Sequence, residues 1–463
     1  MTKHTAAATL GPTATLADFA AGLCFSDIPN DVVEHAKLCL LDTIGCGLFG
    51  STLPWVRIVR ESVESIDTNQ DAALWASGAR ASVPHAALVN GTAIHAFELD
   101  DLHPRSIVHP GSVVVSAAMA MAAHTGTVSG RDLLTAMVAG YEVTSRVGMS
   151  MGAAHLSQGW HPTGTHGTLG AAAAAGSILG LTAEQMLNAI GTAGSQSSGL
   201  MSAQFSSMVK RLNAGHAAQS GVMAALLAQR GFLGIPDLLE NAYGGYLSTF
   251  SPTSRPELMT QDLGSVWQTA QVGFKPYSTN GSCHPVIDAL LQMRAETGIT
   301  MDSVEAVVIH CSTATFKHVG WPYSPVSVTS AQMNLPYIVA VVLADGDAFL
   351  DQFSPERIVD PELIEFSRRV SVIADPAIDA AGDAMRHAAR VEVSLRDGTR
   401  LHDERTHAKG SAASPLGRED VEAKFFKLAR TATGEDQAVH IRDTIRAMDS
   451  AADITTLDEA IAG

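Results

Sequence analysis

Apolar residues recur at helical spacing along almost the whole chain from Thr15 to about Leu247. After Pro29-Asn30-Asp31, the positions Val32, Val33, Ala36, Leu40 and Leu41 follow the 3.6-residue period that places side chains on one helix face. Gly130-Arg131-Asp132 leads in the same way into LLTAMVAGYEV, and Thr182-Ala183-Glu184 into QMLNAIGTAG. The pattern changes near Gln261. Val304–Cys311 (VEAVVIHC) and Ala389–Leu395 (ARVEVSL) are β-branched and partly alternating, and Arg396-Asp397-Gly398-Thr399 is a turn signal before Arg400–Thr406, which predicts a hairpin. Helical patterns at His284–Thr297, Ser330–Asp345 and Ser354–Ile358 interleave with these strands, and the tail from Arg418 is amphipathic helix again. The expected fold is therefore mainly α. A large all-helical domain takes residues 1–261 and 412–463, and a smaller α+β domain, residues 262–411, is inserted between them.

Composition agrees with a packed chain. At ~150 residues per domain, the length of 463 suggests two or three domains. Asp and Glu number 47 against 30 Lys and Arg, and the net charge of −17 opposes nucleic acid and anionic membrane surfaces, so neither is expected as a partner. The most apolar runs, Val113–Ala123 and Tyr337–Ala344, fall short of the ~20 residues of a membrane span. Met1–Leu16 lacks the apolar stretch of a secretory signal and reads as a loose tail. Five cysteines without a CxxC pair fit a reducing compartment, so a cytoplasmic location is expected.

Candidate chemistry begins with histidine. Four of the 18 histidines precede proline, at His103, His109, His161 and His284, where composition alone predicts about 0.7 such pairs. Three of them, His109, His161 and His284, open helical patterns. Proline is favoured at the first helical position, which puts each of these histidines at or near an N-cap. There the unpaired N–H groups attract anions and disfavour imidazolium, leaving a neutral ring available as a base. A second constellation is His95-Ala-Phe-Glu98-Leu-Asp100-Asp101-Leu-His103. If the preceding helix continues, His95, Glu98 and Asp101 share one face, and the carboxylates can orient an imidazole. These residues match no metal-ligand template, and no metal is expected. The third element is cationic. Lys210, next to Arg211, and Lys275, nine residues before His284, stand ready to neutralise substrate carboxylates. Neither a dinucleotide fingerprint nor a Walker sequence occurs. Together these parts suit proton abstraction next to a carboxylate of a small polycarboxylate, without a cofactor.

Five ordered stretches carry a resemblance: LLDTIGCGLFGS (Leu40–Ser51), NGTAIHAFELDD with the following HPG (Asn90–Gly111), GWHPTGTHGTLGAAAAA (Gly159–Ala175), VKRLNAGHAA (Val209–Ala218) and FKPYSTNGSCHPVIDA (Phe274–Ala289). The chain resembles the MmgE/PrpD superfamily almost end to end. That resemblance implies a helical domain with an α+β lid, a homodimer, and cofactor-free chemistry of the 2-methylcitrate dehydratase, cis-aconitate decarboxylase or iminodisuccinate epimerase kind. It maps the family's acidic motif onto Glu98, Asp100 and Asp101, its histidines onto His109 and His161, its lysine onto Lys210, and its lid residues onto Lys275 and His284. Decarboxylase-like members differ in three ways. They have a histidine where this chain has Asn280, an aspartate where it has Glu98, and a spacing from acid to histidine shorter by one residue.

The reading that follows is a dehydratase-like carbon–oxygen lyase. Asp100, His109, His161 and Lys210 are assigned to catalysis, with His109 or His161 as the base; Glu98, Asp101, His103, Lys275 and His284 are assigned to substrate binding. Epimerisation, which needs bases on two faces of the carbon, and decarboxylation are the alternatives within enzymes. A non-catalytic carboxylate binder is the alternative outside them.

Overall fold

Small residues let the helices of the first half approach closely, and this sets the architecture. A computed structural model describes residues 10–382 and 385–463. Its first nine α-helices are α1 Pro12–Gly22, α2 Asn30–Ser51, α3 Pro54–Glu64, α4 Val83–Ile94, α5 Pro110–Thr125, α6 Gly130–Ser157, α7 Pro162–Ile178, α8 Ala183–Gly194 and α9 Val209–Gln229. The central helix α7 is buried from Pro162 to Gly176 and packs against α5, α6, α8 and α9. Its alanines at 171 to 175 lie at 0% exposure, so the packing rests on backbone proximity more than on large side chains.

Gly215 on α9 shows how tight these crossings are. A Cβ there would stand 2.1 Å from the Leu88 carbonyl oxygen and 2.2 Å from Thr92 Oγ1, both on α4. Gly215→Ala is expected to cost about 1–3 kcal/mol or more by forcing α4 and α9 apart, read as a lower midpoint in thermal or urea unfolding.

The expected loose tail is only partly available for comparison, because residues 1–9 lie outside the described residues. Pro12 to Leu16 depart from that expectation: they are already helical, since burial of Leu16, Ala17 and Ala20 fixes α1 against the bundle. A short hairpin not foreseen in the sequence, β1 Ala72–Ala73 with β2 Arg80–Ala81, interrupts the helices.

The second half holds the sheet. Strands β3 Val304–Cys311, β4 Val370–Ala374, β5 Ala389–Leu395 and β6 Arg400–Arg405 lie in the order β4-β3-β5-β6. The predicted hairpin is β5 with β6, paired from Ala389↔Arg405 to Ser394↔Arg400. β4 was not expected and pairs in parallel with β3. The helix His284–Thr297 packs on β5 and β6. Two helical expectations are corrected here. Ser330–Asp345 is split, because the Asn334 side chain accepts from the Tyr337 N–H and starts a new helix, Leu335–Asp345. At Ser354–Ile358 there are only 3₁₀ turns; the regular helix is Pro361–Ser367, capped by Asp360. The helix Arg418–Ala429 packs on α2, and its Lys424 pairs with buried Asp42 at 2.7 Å and bonds the Leu99 carbonyl at 2.5 Å.

The five cysteines are free thiols, and Cys24 alone among them is exposed. Among the described residues no single helix is long and apolar enough to cross a membrane.

Candidate active site

The acidic motif is not helical. Helix α4 ends at Ile94, and His95 occupies its C-cap. Glu98 then takes a left-handed φ of +57°, which reverses the chain. The expected shared helix face for His95, Glu98 and Asp101 is therefore replaced by a loop that sends the acids in different directions. Asp100 folds back on His95, accepting from its Nδ1 at 2.6 Å, and its other oxygen lies 3.3 Å from His109 Nδ1. Burial raises the Asp100 carboxyl, but His109 and His95 outweigh it and hold it well below the usual carboxylate range. One carboxylate thus faces two imidazoles.

Two of the His-Pro histidines stand at helix starts, as their sequence predicts. His109 is the N-cap of α5 and His161 the N-cap of α7. The two helix starts are tied together, since the His109 N–H donates to Thr163 Oγ1 at 3.2 Å. The His95 ring bridges them, with centroids 4.9 Å from His109 and 5.4 Å from His161. Burial, followed by Lys210, pushes the His161 pKa well below its ordinary value of 6.5, and burial brings His95 down to about 4.

A second partner fixes the ring proton of His161. Asn213 Nδ2 donates to His161 Nδ1 at 3.1 Å, so the neutral His161 ring carries its proton on Nε2. His109 Nδ1 stands 3.3 Å from Asp100 Oδ1, an electrostatic contact outside hydrogen-bond geometry.

Glu98 organises the cations. Lys210, Arg211 and Lys275 all pair with it, Arg211 at 2.5 Å and Lys275 at 3.3 Å. All four side chains are buried. Burial raises the Glu98 carboxyl, and Lys210, Lys275 and Arg211 more than reverse this and hold it well below the usual range. Burial brings Lys210 down to about 8 even though Glu98 opposes the shift. Three cations share one carboxylate, which leaves a local surplus of buried positive charge.

Not every expected residue joins this group. Asp101 accepts from Gly111 N–H at 2.9 Å and Tyr141 OH at 2.8 Å, so both oxygens are engaged in anchoring the start of α5; burial raises its pKa to about 8. His103 is held in its own loop by Ser106, whose N–H donates to His103 Nδ1 at 3.2 Å, and it lines neither cavity described below. His284 begins the helix 284–297 and lines the larger cavity, away from His109. A small chamber of about 70 Å³ is lined by His109, Lys275, Asn280, His318, Arg386 and His387, among others. Arg211, Asn213, His318, Arg386 and His387 were not assigned to the site from sequence. Arg211 and Asn213 were within reach, one and three residues beyond Lys210 on the same helical stretch. The others carried no local signal. Asn280 uses Oδ1 to accept from Ser282 N–H at 2.9 Å, which makes it a turn cap.

His95, Asp100 and His109 also offer three ligand atoms within 4.8 Å of one another. A tetrahedral ion at ~2.0 Å from each would need them ~3.3 Å apart. The 2.6 Å contact between His95 and Asp100 is instead that of a hydrogen bond.

Residues 14–258 match the family model for the MmgE/PrpD N-terminal domain, and residues 277–450 that for the MmgE/PrpD C-terminal domain. A cis-aconitate decarboxylase-like protein of Aspergillus oryzae is 33% identical, over 97% of this chain and 97% of that protein. The cis-aconitate decarboxylase of Aspergillus terreus is 32% identical over 100% of this chain and 98% of its own length. The human cis-aconitate decarboxylase is 28% identical over 96% and 92%.

Proposed function

The chain belongs to the MmgE/PrpD family, and from that premise we propose that it is a cofactor-free lyase that decarboxylates cis-aconitate or a tricarboxylate of closely similar shape. The observation that carries this reading is the tautomer of His161. Loss of CO₂ from a carboxylate one carbon away from a C=C bond pushes the bonding electrons into a new double bond. The old double bond shifts, and its far carbon must then take a proton. The reaction therefore calls for a donor at carbon, and His161 Nε2–H, backed by the nearby Lys210 ammonium, fits that demand. Lys210, Lys275 and Arg211 hold the carboxylates, with Glu98 keeping the three cations together. The names of the full-length relatives support the same choice over the dehydration favoured from sequence.

Dehydration is the second reading. The Asp100–His109 pair favours it, because a base oriented by a carboxylate is what removal of a proton next to a carboxylate needs. Incubation with cis-aconitate and with hydroxylated tricarboxylates separates the two. Release of CO₂ from cis-aconitate is expected. Loss of water from a hydroxy acid with no CO₂ release would overturn the first reading in favour of the second.

Two further outcomes are expected. Asn213→Asp should offer an acceptor to His161 Nδ1, move the ring proton there, and lower kcat about 10²-fold or more, by the logic of an enforced wrong tautomer. Single-turnover kinetics with unchanged substrate affinity would check it. The pH profile should fall on the alkaline side, because free Lys210 loses its charge above about pH 8. A bound carboxylate stabilises the ammonium, so the limb in kcat should lie at higher pH than the limb in kcat/KM. His161 adds no loss as pH falls through 6.5, since its ring stays neutral well below that value.

A further inference from the structure

Beside the small chamber lies a larger cavity of about 650 Å³. Its wall includes Arg105, Arg255, Lys275, Arg386 and Lys409, together with His284, His387 and His407, and among the described residues no Asp or Glu. A random sample of 23 residues from this chain would bring about two carboxylates and one or two cations, given 47 acids and 30 bases in 463 residues. The enrichment runs against the net charge of −17 and so belongs to the place, not to the composition. Among the described residues Arg105, Arg255 and Lys409 form no ion pair; Lys409 contacts Asp288 through its backbone N–H, leaving its ammonium unpaired.

One buried group also points to a ligand, and a second borders both cavities. His284 is 3% exposed, lines this cavity, and its Nε2 has no hydrogen-bond partner. Lys275, also 3% exposed, lines both this cavity and the small chamber with His109. Leu102, Gly281, Arg386 and His387 are shared between them as well. Apolar Phe274, Met149 and the alanines at 408, 412 and 413 complete the wall, a mixture that suits a small organic anion.

We propose that this cavity is a second polyanion site, which binds a di- or tricarboxylate in addition to the one at His109 and His161, with Lys275 as the shared wall. A strongly acidic protein repels an anionic substrate at long range, and a local cationic basin reverses that field where the ligand must arrive. Occupancy also places negative charge near Lys275, which otherwise turns to Glu98, so the two sites are coupled through one ammonium.

Calorimetric titration of the full chain with tricarballylate, a saturated and unreactive tricarboxylate, tests this, with inorganic pyrophosphate as a second probe. Two binding events per chain are expected. The Arg255→Gln/Lys409→Gln double variant should weaken one of them about tenfold or more and leave the other, whereas Lys210→Gln should remove the other. The event lost in the double variant should also be the more salt-sensitive, because its cations are exposed. A single event unchanged in the double variant, one event lost in both variants, or no binding of either probe would overturn the proposal. The readout is binding, so absence of turnover on every polycarboxylate would count against the lyase reading alone.

Discussion

The His161→Ala enzyme is expected to turn over about 10²-fold or more slowly than wild type, with its fold intact. The ring is the N-cap of α7 but makes no side-chain cap bond, so its removal does not unravel the helix. The His161 backbone N–H still reaches the Gly199 carbonyl at 3.0 Å, which holds the loop in the variant. What is lost is the Nε2–H that Asn213 fixes in place. The loss should therefore appear in kcat, with KM little changed, because the cations proposed to hold the carboxylates sit on α9 and at Lys275. Near-full turnover by this variant would move the proton donor to Lys210 or His109.

The largest expected effect on stability is at Glu98. Glu98→Gln keeps the shape and the left-handed backbone but leaves Lys210, Arg211 and Lys275 buried together without a counter-ion. Breaking a buried charge group in this way costs about 3–5 kcal/mol. The sign of the pH dependence follows from the carboxyl, which in the folded state lies well below its ordinary value of 4.5. A depressed carboxylate contributes its stability above the unfolded value and loses it as pH falls through the folded value. The gap between wild type and Glu98→Gln should hence be widest near neutrality and close on acidification. Urea unfolding at neutral and acid pH reads this directly. A constant gap across that range would mean that Glu98 acts by packing and not by charge.

Much of this site was legible before any coordinates. The His-Pro pairs at His109, His161 and His284 marked helix starts because proline's fixed φ and missing N–H suit the first turn, a rule that operates within a few residues. The strands at Val304–Cys311 and Ala389–Leu395 were equally local, since β-branched alternation needs no distant partner to be recognised. The acids of the ELDD stretch were visible as a group, yet their roles were not. A single left-handed residue, Glu98, ends the helical phase. The three acids then part: Glu98 goes to the cations of α9 and Lys275, Asp100 to two imidazoles, and Asp101 to the foot of α5. Whether a carboxylate binds substrate or anchors the fold depends on which groups arrive beside it, and those come from up to 177 residues away. The residue types, the helix starts and the mainly α class are readable along the chain, because these follow from short-range sterics and periodicity. Only the tertiary structure decided which cations share Glu98, which nitrogen of His161 bears the proton, and where an acidic chain gathers its positive charge, because electrostatic partners are chosen by distance in space.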